Sequence, residues 1–506
     1  MNARSLMVMG TASDAGKSVV VTALCRAFAR AGIRVAPFKS QNMSNNSAVC
    51  RGGGEIGRAQ AVQAEACGLE PTIDMNPILL KTESDMTCQV VIGGRARFRM
   101  GVNDYERYRT EAWPEIVSSY NNLAQHFELI VIEGAGGAAE INLRHRDIVN
   151  WEIAELADAP VLLVADIDKG GVFASVVGTI ELLTAAERRR VKGVLINKFR
   201  GDLKLLEPGL RFLEQRTGVP IIGALPWQEN LGLPQEDAAM LTGITRPADK
   251  PVTIGVIHLP SISNYTDFEA LEVEPDVAVN YLSDPAAAPR LEVLIIPGTK
   301  STVADLKWLR RAGWEDFLVR HRRAGGWIVG ICGGYQMLGR RITDNDRIES
   351  DTAETIGLGL LEIETNFELE KITDRIRAIH LATGLPVAGY EIHSGRIAGI
   401  TESRAVFRLI HRDTGAVDEF EGDRSDDGRV IGTSIHGVFD SAGFRRNFLD
   451  EVRASKGLGP LESTEPGEAE ANHIAAFDRI ADALERCTDF SKIAAIAGIS
   501  LSSPIL

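Results

Sequence analysis

A glycine-rich segment near the N-terminus has the residues and the spacing of a phosphate-binding loop. Five residues separate Gly10 from the sequence Gly16-Lys17-Ser18, between an apolar run and an amphipathic helical pattern. In such a loop the backbone N–H groups and the helix N-terminus bind phosphates, the lysine reaches the terminal phosphates and the serine can hold Mg²⁺. The loop is one residue longer than the common spacing. The predicted ATP-binding residues are Thr11, Asp14, Ala15, Gly16, Lys17 and Ser18.

Two further side chains are expected beside this loop. Glu133 ends the apolar run LIVIE, and Lys39 follows the run IRVAPF. A carboxylate at the carboxyl end of a strand next to a phosphate loop is well placed to hold Mg²⁺, directly or through water. We therefore predict Ser18 and Glu133 as metal ligands. Lys39 would bind the substrate carboxylate or the transferred phosphate, and a solvated surface lysine is the alternative.

A cysteine between glycines indicates a second site. Cys332 lies in GICGG, a G-x-C-x-G sequence that joins an apolar strand pattern to a helical one. A thiol on such a turn projects from the backbone at a helix N-terminus, which favours the thiolate. The N–H of Gly333 can donate to an oxyanion, and Gly298, at the end of LEVLIIPG, can offer a second donor.

A thiolate nucleophile needs a basic partner, and histidine is the usual one. His436 stands in SIHGVF just after another apolar run, downstream of the cysteine, and is the predicted base. His393, in GYEIHSG, is the competing candidate. Either histidine could instead have a purely structural role.

The elements that must position these residues form two α/β patterns. Short, nearly continuous Val/Ile/Leu runs alternate with helical patterns, which predicts parallel sheets covered on both faces. The alternation of strand and helix patterns weakens around 235–251, and a new alternation of strands and helices starts at VTIGVIHLP. We expect two doubly wound, mainly parallel domains, at 1–240 and 251–447, and a helical C-terminal tail at 448–506.

Composition restricts the function classes. The 506 residues carry a formal net charge of −14, which argues against broad contact with nucleic acid or anionic membrane. The six scattered cysteines form no CxxC pair, so a reduced cytoplasmic enzyme is expected. No apolar stretch is long enough to predict a membrane span.

The N-terminal motifs resemble the dethiobiotin synthetase-like branch of P-loop enzymes, which phosphorylate a carboxylate or carbamate. The resemblance covers 10–18, Lys39 and 133–137. Asn197, in GVLINKF, matches the position at which such enzymes bind adenine. The resemblance thus implies an ATP site that activates a carboxylate.

The C-terminal motifs CGGYQMLG and SIHGVF resemble class I glutamine amidotransferases. This resemblance implies that Cys332 attacks the glutamine amide, and that Gly298, Gly333 and Gln336 hold the oxyanion or the glutamine. Most members carry His-Pro-Glu, whose glutamate orients the imidazole, but this chain has His436-Gly437-Val438. The departure is similar to the cobyrinic and cobyric acid amidases. Solvent, backbone or Glu391 could orient His436 instead.

Taken whole, the chain resembles the cobyric acid synthase family from about Leu6 to Phe448. The supporting segments are FKSQNMSNNS, NPILLKTESD, EINLRHRDIVNWEIAE, DIDKGGVFAS and GYEIHSGR. The resemblance implies ATP- and glutamine-dependent amidation of peripheral carboxylates of adenosylcobyrinic acid a,c-diamide, with Mg²⁺ as cofactor and the corrinoid as substrate. It also implies that Asp147, Asp168 and Lys169 contact Mg²⁺, phosphate or corrin.

Two alternatives stay open at this point. A cobyrinic acid a,c-diamide synthase would share the architecture and amidate different carboxylates. A P-loop regulatory ATPase with an inactive glutaminase fold would bind rather than catalyse, although the G-x-C-x-G sequence and His436 argue against it. CTP synthase has a similar layout but keeps His-Pro-Glu.

Overall fold

A computed structural model describes residues 3–83, 87–101, 103–228, 232, 250–461 and 468–501. Residues 233–249, which include most of the expected domain boundary, lie outside the described residues, as do 462–467 of the expected C-terminal tail. Among the described residues, none of the helices is both long enough and apolar enough to cross a membrane.

The N-terminal domain contains strands and helices in alternation. Its strands are β1 (Arg4–Gly10), β2 (Val35–Phe38), β3 (Gln41–Met43), β4 (Ser47–Val49), β5 (Glu55–Gly57), β6 (Ile78–Thr82), β7 (Cys88–Ile92), β8 (Arg95–Met100), β9 (Leu129–Gly137), β10 (Val161–Asp166), β11 (Val191–Phe199) and β12 (Ile221–Pro226). Its helices are α1 (Lys17–Arg30), α2 (Arg58–Ala66), α3 (Tyr105–His126), α4 (Trp151–Leu156), α5 (Val172–Leu182), α6 (Ala185–Arg190) and α7 (Leu203–Thr217).

A parallel sheet in the order β12-β11-β10-β1-β9-β2 forms the centre of this domain. Strands β1, β9 and β10 are almost completely buried, which explains their continuous apolar runs. Because β1 lies between β9 and β10, the loops that follow these three strands meet at one edge of the sheet. A smaller sheet, β3-β6-β7-β8, and the pair β4-β5 lie outside this path.

The second domain starts a new sheet. Its strands are β13 (Val252–Ile257), β14 (Val277–Leu282), β15 (Val293–Ile296), β16 (Trp327–Ile331), β17 (Arg341–Thr343), β18 (Glu354–Ile356), β19 (Glu364–His380), β20 (Pro386–Ala398), β21 (Phe407–Arg412), β22 (Gly415–Glu421), β23 (Asp423–Arg424) and β24 (Val430–Thr433). Its helices are α8 (Glu269–Glu272), α9 (Thr302–Arg311), α10 (Trp314–Arg323), α11 (Gly333–Leu338) and α12 (Ala442–Ala454).

The main sheet of the second domain has the order β14-β13-β15-β16-β24-β23 and is parallel except for the β23–β24 pair. The prediction of two mainly parallel α/β domains is therefore confirmed. The predicted pattern did not include the largely antiparallel sheet of β17 to β22, in which the long strands β19 and β20 pair. Its exposed, half-polar strands lack the continuous apolar runs of buried parallel strands.

The C-terminal helices α13 (Glu468–Cys487) and α14 (Phe490–Ile496) pack on the N-terminal domain. Arg26 of α1 donates to Asp478 at 2.8 Å, and the rings of Phe28 and Phe490 lie 5.0 Å apart. Residue 448, at which we expected a tail to begin, lies inside α12, which packs on the second domain. The chain thus returns from the second domain to the first.

Candidate active sites

The phosphate loop between β1 and α1 has a backbone conformation that requires glycine at position 16. Gly16 caps α1 with φ of 89°, and an added Cβ would come within 2.1 Å of Asn197 Nδ2. Asn197 Nδ2 donates to Ala15 O at 2.9 Å. Asn197, at the end of β11, therefore stabilises the loop through this hydrogen bond. Its contact with adenine stays a prediction.

Lys17 and Ser18 both face the interior of this site. Lys17 Nζ donates to Gly136 O at 3.0 Å and to Ala12 O at 3.2 Å, so the ammonium lies over the loop. Ser18 Oγ donates to Glu133 Oε1 at 2.9 Å. The structure thus brings together the phosphate loop before α1 and a carboxylate in the buried part of β9.

Glu133 is the centre of a buried polar cluster. Its side chain is 1% exposed, and Lys39 Nζ donates to Oε1 at 2.8 Å. Gln63 Nε2, from α2, donates to Oε2 at 2.5 Å. Lys39 is therefore a buried ion-pair partner and not a solvated surface lysine. Sequence reasoning missed Gln63, whose only signal was a polar residue within the Ala-rich helix pattern RAQAVQAEA.

The donor set of this cluster fits Mg²⁺. The hydroxyl of Ser18 and the carboxylate of Glu133 are adjacent hard oxygen ligands at the mouth of a phosphate loop, which is the environment that Mg²⁺ prefers when it also binds substrate phosphates. Lys39 shares Oε1 of the same carboxylate. A cation there would therefore compete with, or replace, the contact to Lys39.

Four other predicted residues lie around the loop but away from this cluster. Thr11 N donates to Val164 O at 2.9 Å, which extends the sheet rather than pointing at a phosphate. Asp14 and Lys169 form an exposed ion pair at 3.6 Å. Asp168 accepts from Arg200 Nε at 2.9 Å on the surface. The contacts of these four residues thus lie outside the Glu133 cluster, and their predicted roles stay predictions.

Asp147 accepts hydrogen bonds from the backbone at the start of α4. Its Oδ1 accepts from the backbone N–H of Val149 and Asn150 at 2.9 and 2.8 Å, and its Oδ2 accepts from Trp151 N at 2.6 Å. The carboxylate thus fixes the turn around Asn150, the N-cap residue of α4. The predicted contact of Asp147 with phosphate, Mg²⁺ or corrin stays a prediction.

Cys332 stands on a strained turn between β16 and α11. It has φ of 49° and ψ of −107°, a conformation that only a tightly held turn imposes on a residue with a side chain. An added Cβ on Gly334 would come within 2.0 Å of Ile296 O, and one on Gly330 within 2.8 Å of Tyr335 N. The glycines therefore allow the close packing that the turn needs.

His436 and Asp267 complete the site beside Cys332. His436 Nδ1 lies 2.7 Å from Asp267 Oδ2, and Gly437 N donates to Asp267 Oδ1 at 2.9 Å. Burial alone would lower the pKa of His436, but the charge of Asp267 and the adjacent Cys332 side chain, together with their hydrogen bonds, raise this pKa to about 10. The surroundings of the imidazole thus favour its protonated form.

The orienting group is therefore Asp267, which sequence reasoning missed. Glu391, the carboxylate suggested for this role, forms an ion pair with Arg412 and lies 3.6 Å from His393. His393 Nδ1 is bonded to Gly395 O at 2.7 Å. Nδ1 of His436 thus contacts a carboxylate, whereas Nδ1 of His393 contacts a backbone carbonyl, and the role of His436 as base stays a prediction.

Of the predicted oxyanion and glutamine residues, Gln336 lines the cavity that holds Cys332 and His436, and Gly298 and Gly333 lie next to residues that line it. An added Cβ on Gly298 would lie 2.9 Å from His436 Cε1, and one on Gly333 would lie 2.7 Å from the side chain of Thr299. Gln336 Oε1 accepts from Thr302 Oγ1 at 3.1 Å. The cavity is lined by both domains, with Cys332, His436, Gln336, Thr302 and Lys300 from the second and Lys81 and Gln89 from the first.

A buried ion cluster joins the domains next to this cavity. Glu55 Oε2 accepts from Lys81 at 2.6 Å, and Glu55 Oε1 accepts from Lys371 of the second domain at 2.5 Å. Burial raises the pKa of Glu55, but the two ammonium groups outweigh that effect and lower it to about 2. The carboxylate thus stays charged and holds the two domains against each other at the cavity.

Comparison with known proteins agrees with this two-site layout. Residues 6–238 match the family of CobQ/CobB/MinD/ParA nucleotide binding domains, and residues 253–444 match the CobB/CobQ-like glutamine amidotransferase domains. The chain is 46% identical to a cobyric acid synthase of Sorangium cellulosum, with 99% of each chain covered. It is 44% identical to one of Dehalococcoides mccartyi (98% of this chain, 99% of the relative) and 46% identical to one of Streptococcus sanguinis (97% and 98%). The chain therefore belongs to the cobyric acid synthase family.

Proposed function

We propose that this chain amidates peripheral carboxylates of adenosylcobyrinic acid a,c-diamide to give adenosylcobyric acid in cobalamin biosynthesis, with ATP and glutamine as co-substrates. The observation that carries the proposal is the Cys332–His436–Asp267 site on the same chain as an intact phosphate loop, in a member of this family. We assign the ATP-dependent half to residues 1–240, the glutaminase half to 251–447 together with the rest of α12, and the helical tail to the residues after α12.

The ATP-dependent half would activate the carboxylate. A carboxylate oxygen of the corrinoid attacks the γ-phosphorus of ATP, the bond to ADP breaks, and an acyl phosphate forms. Lys17 and the loop N–H groups stabilise the phosphates, and Lys39 stabilises the transferred group or the attacking carboxylate. Mg²⁺, held by Ser18 and Glu133, would neutralise charge on the phosphates.

The glutaminase half would release ammonia. The Cys332 thiolate attacks the side-chain carbonyl of glutamine, and His436 gives its proton to the departing ammonia. Water then attacks the glutamyl thioester with His436 as base, which releases glutamate and restores the thiol. Asp267 fixes the imidazole through Nδ1, so that Nε2 faces the reaction.

The two halves would be joined by the ammonia itself. Ammonia attacks the acyl phosphate, the carbon–oxygen bond to phosphate breaks, and an amide and inorganic phosphate remain. Bulk water would protonate and dilute ammonia, so its release into a cavity lined by both domains supports direct transfer.

The test is incubation of the purified chain with adenosylcobyrinic acid a,c-diamide, ATP, Mg²⁺ and glutamine, followed by mass spectrometry of the corrinoid. The proposal predicts successive losses of hydroxyl and gains of amino groups, each with one ATP and one glutamine consumed. The same assay with cobyrinic acid separates the two amidases. Amidation of cobyrinic acid alone, or of neither corrinoid, would contradict the proposal.

A further inference from the structure

Helix α2 contacts both candidate sites through residues at different positions along its length. Gln63 Nε2 donates to Glu133 Oε2 at 2.5 Å, beside the phosphate loop. Arg58, the first residue of the helix, donates from Nη2 to the Tyr390 hydroxyl of the second domain at 2.6 Å. A helix of nine residues thus connects the carboxylate of the ATP site with the glutaminase domain.

Tyr390 covers the glutaminase histidine. Its ring is stacked on the imidazole of His436, with centroids 5.2 Å apart and planes inclined by 17°. The backbones of the two residues exchange hydrogen bonds, from His436 N to Tyr390 O at 2.8 Å and from Tyr390 N to His436 O at 3.1 Å. Tyr390 therefore fixes the imidazole from its face, while Asp267 fixes it through Nδ1.

Arg58 in turn fixes Tyr390. Its Nη2 also donates to Ser47 O at 3.0 Å, and its guanidinium carbon lies 5.4 Å from the centre of the Tyr390 ring. A planar guanidinium held by two acceptors has a defined orientation. Asn264 Nδ2 gives the hydroxyl a second hydrogen bond at 3.1 Å, and Asn264 Oδ1 accepts from Ser47 N at 3.3 Å. The N-terminal domain thus supports the tyrosine at two places.

We propose that Arg58 is a positioning residue for glutamine hydrolysis, acting from the N-terminal domain through Tyr390 on His436. This inference rests on the proposed glutaminase function of Cys332 and His436. Without Arg58 the Tyr390 hydroxyl loses its charged donor, and the stacked imidazole gains freedom to leave the geometry in which it can transfer a proton. Such displacements reduce the rate of the chemical step more than they weaken substrate binding.

The test compares Arg58→Met and Tyr390→Phe with the unsubstituted chain. The second variant keeps the stacked ring and removes only the hydroxyl. Both are expected to lower kcat for glutamine hydrolysis about tenfold with KM changed less than about twofold. The double variant should fall no further than either single variant, because the two changes remove the same contact. Arg58→Lys should recover part of the lost rate.

A matched control removes an arginine of the N-terminal domain that pairs elsewhere. Arg26 of α1 donates to Asp478 of α13 at 2.8 Å. Arg26→Met should leave glutamine hydrolysis unchanged within about twofold. Wild-type glutamine hydrolysis in Arg58→Met, or an equal loss in Arg26→Met, would overturn the inference.

Ammonia-driven synthesis separates positioning from general damage. Arg58→Met should retain ATP-dependent amidation with added ammonia, because Gln63 and Glu133 keep their contact. Equal loss of the ammonia- and glutamine-driven reactions would show a merely structural role and overturn the inference. If the unsubstituted chain amidates no corrinoid, the proposed function fails, while the hydrolysis rates still decide the role of Arg58.

Discussion

Asp267 lies 2.7 Å from His436, although 169 residues separate the two in the chain. Asp267 belongs to a short turn after β13, and His436 follows β24, so the parallel sheet brings the ends of distant strands together. The same carboxylate accepts from Gly437 N at 2.9 Å, which fixes its orientation. Most class I glutamine amidotransferases carry a glutamate two residues after the histidine, where this chain has Val438. Asp267 thus places a carboxylate against the imidazole from a distant part of the chain.

Removing the charge of Asp267 should slow glutamine hydrolysis. Asp267→Asn keeps the shape and presents an amide to Nδ1, so we expect kcat to fall about a hundredfold through loss of the correct tautomer and of the imidazolium partner. The control is Glu391→Gln, which removes the carboxylate that pairs with Arg412. An equal kcat loss in the control would show that Asp267 has no special role.

The His436–Asp267 pair should also appear in the pH dependence of stability. The pKa of His436 is raised from 6.5 to about 10 in the folded chain. A raised pKa gives stability that is complete below about pH 6.5 and is lost as pH rises through about 10. The difference in Tm between the unsubstituted chain and Asp267→Asn should therefore be largest near pH 6 and shrink steadily as the pH rises toward 10. A constant difference over this range would contradict the pairing.

A methyl group at Gly298 should impair the glutaminase alone. The added Cβ would lie 2.9 Å from His436 Cε1, closer than van der Waals contact, so the imidazole must shift. Gly298→Ala should lower glutamine hydrolysis at least about tenfold and leave ammonia-driven amidation in place. The control is Gly178→Ala in α5, where an added Cβ meets nothing within 4 Å. Unchanged hydrolysis in Gly298→Ala would refute this geometry.

The carboxylate of Glu133 should be needed with either nitrogen source. Glu133→Gln removes the negative charge that pairs with Lys39 and that is proposed to bind Mg²⁺. Amidation with glutamine or with ammonia should therefore fall at least about a hundredfold. Bare glutamine hydrolysis at Cys332 should persist. Selective loss of only the glutamine-driven reaction would place Glu133 outside the ATP site.

The sequence predicts those parts of the sites that local chain geometry encodes. The phosphate loop and the Cys332 turn each need glycines next to the reactive residue, and this need is visible in a few consecutive residues. The buried parallel strands are also visible locally, because each is a short, continuous run of apolar residues. Asp267 and Gln63 gave no such signal, because their roles depend on contacts across 169 and 70 residues.

The most direct test of the two-site account is Cys332→Ser, assayed for corrinoid amidation with glutamine and, separately, with ammonia. A serine hydroxyl is a far weaker nucleophile than the thiolate, so the glutamine-driven rate should fall at least about a thousandfold. The ammonia-driven rate should stay within about twofold of that of the unsubstituted chain, because the phosphate loop and Glu133 are untouched. Equal loss of both rates, or retention of the glutamine-driven rate, would contradict the account.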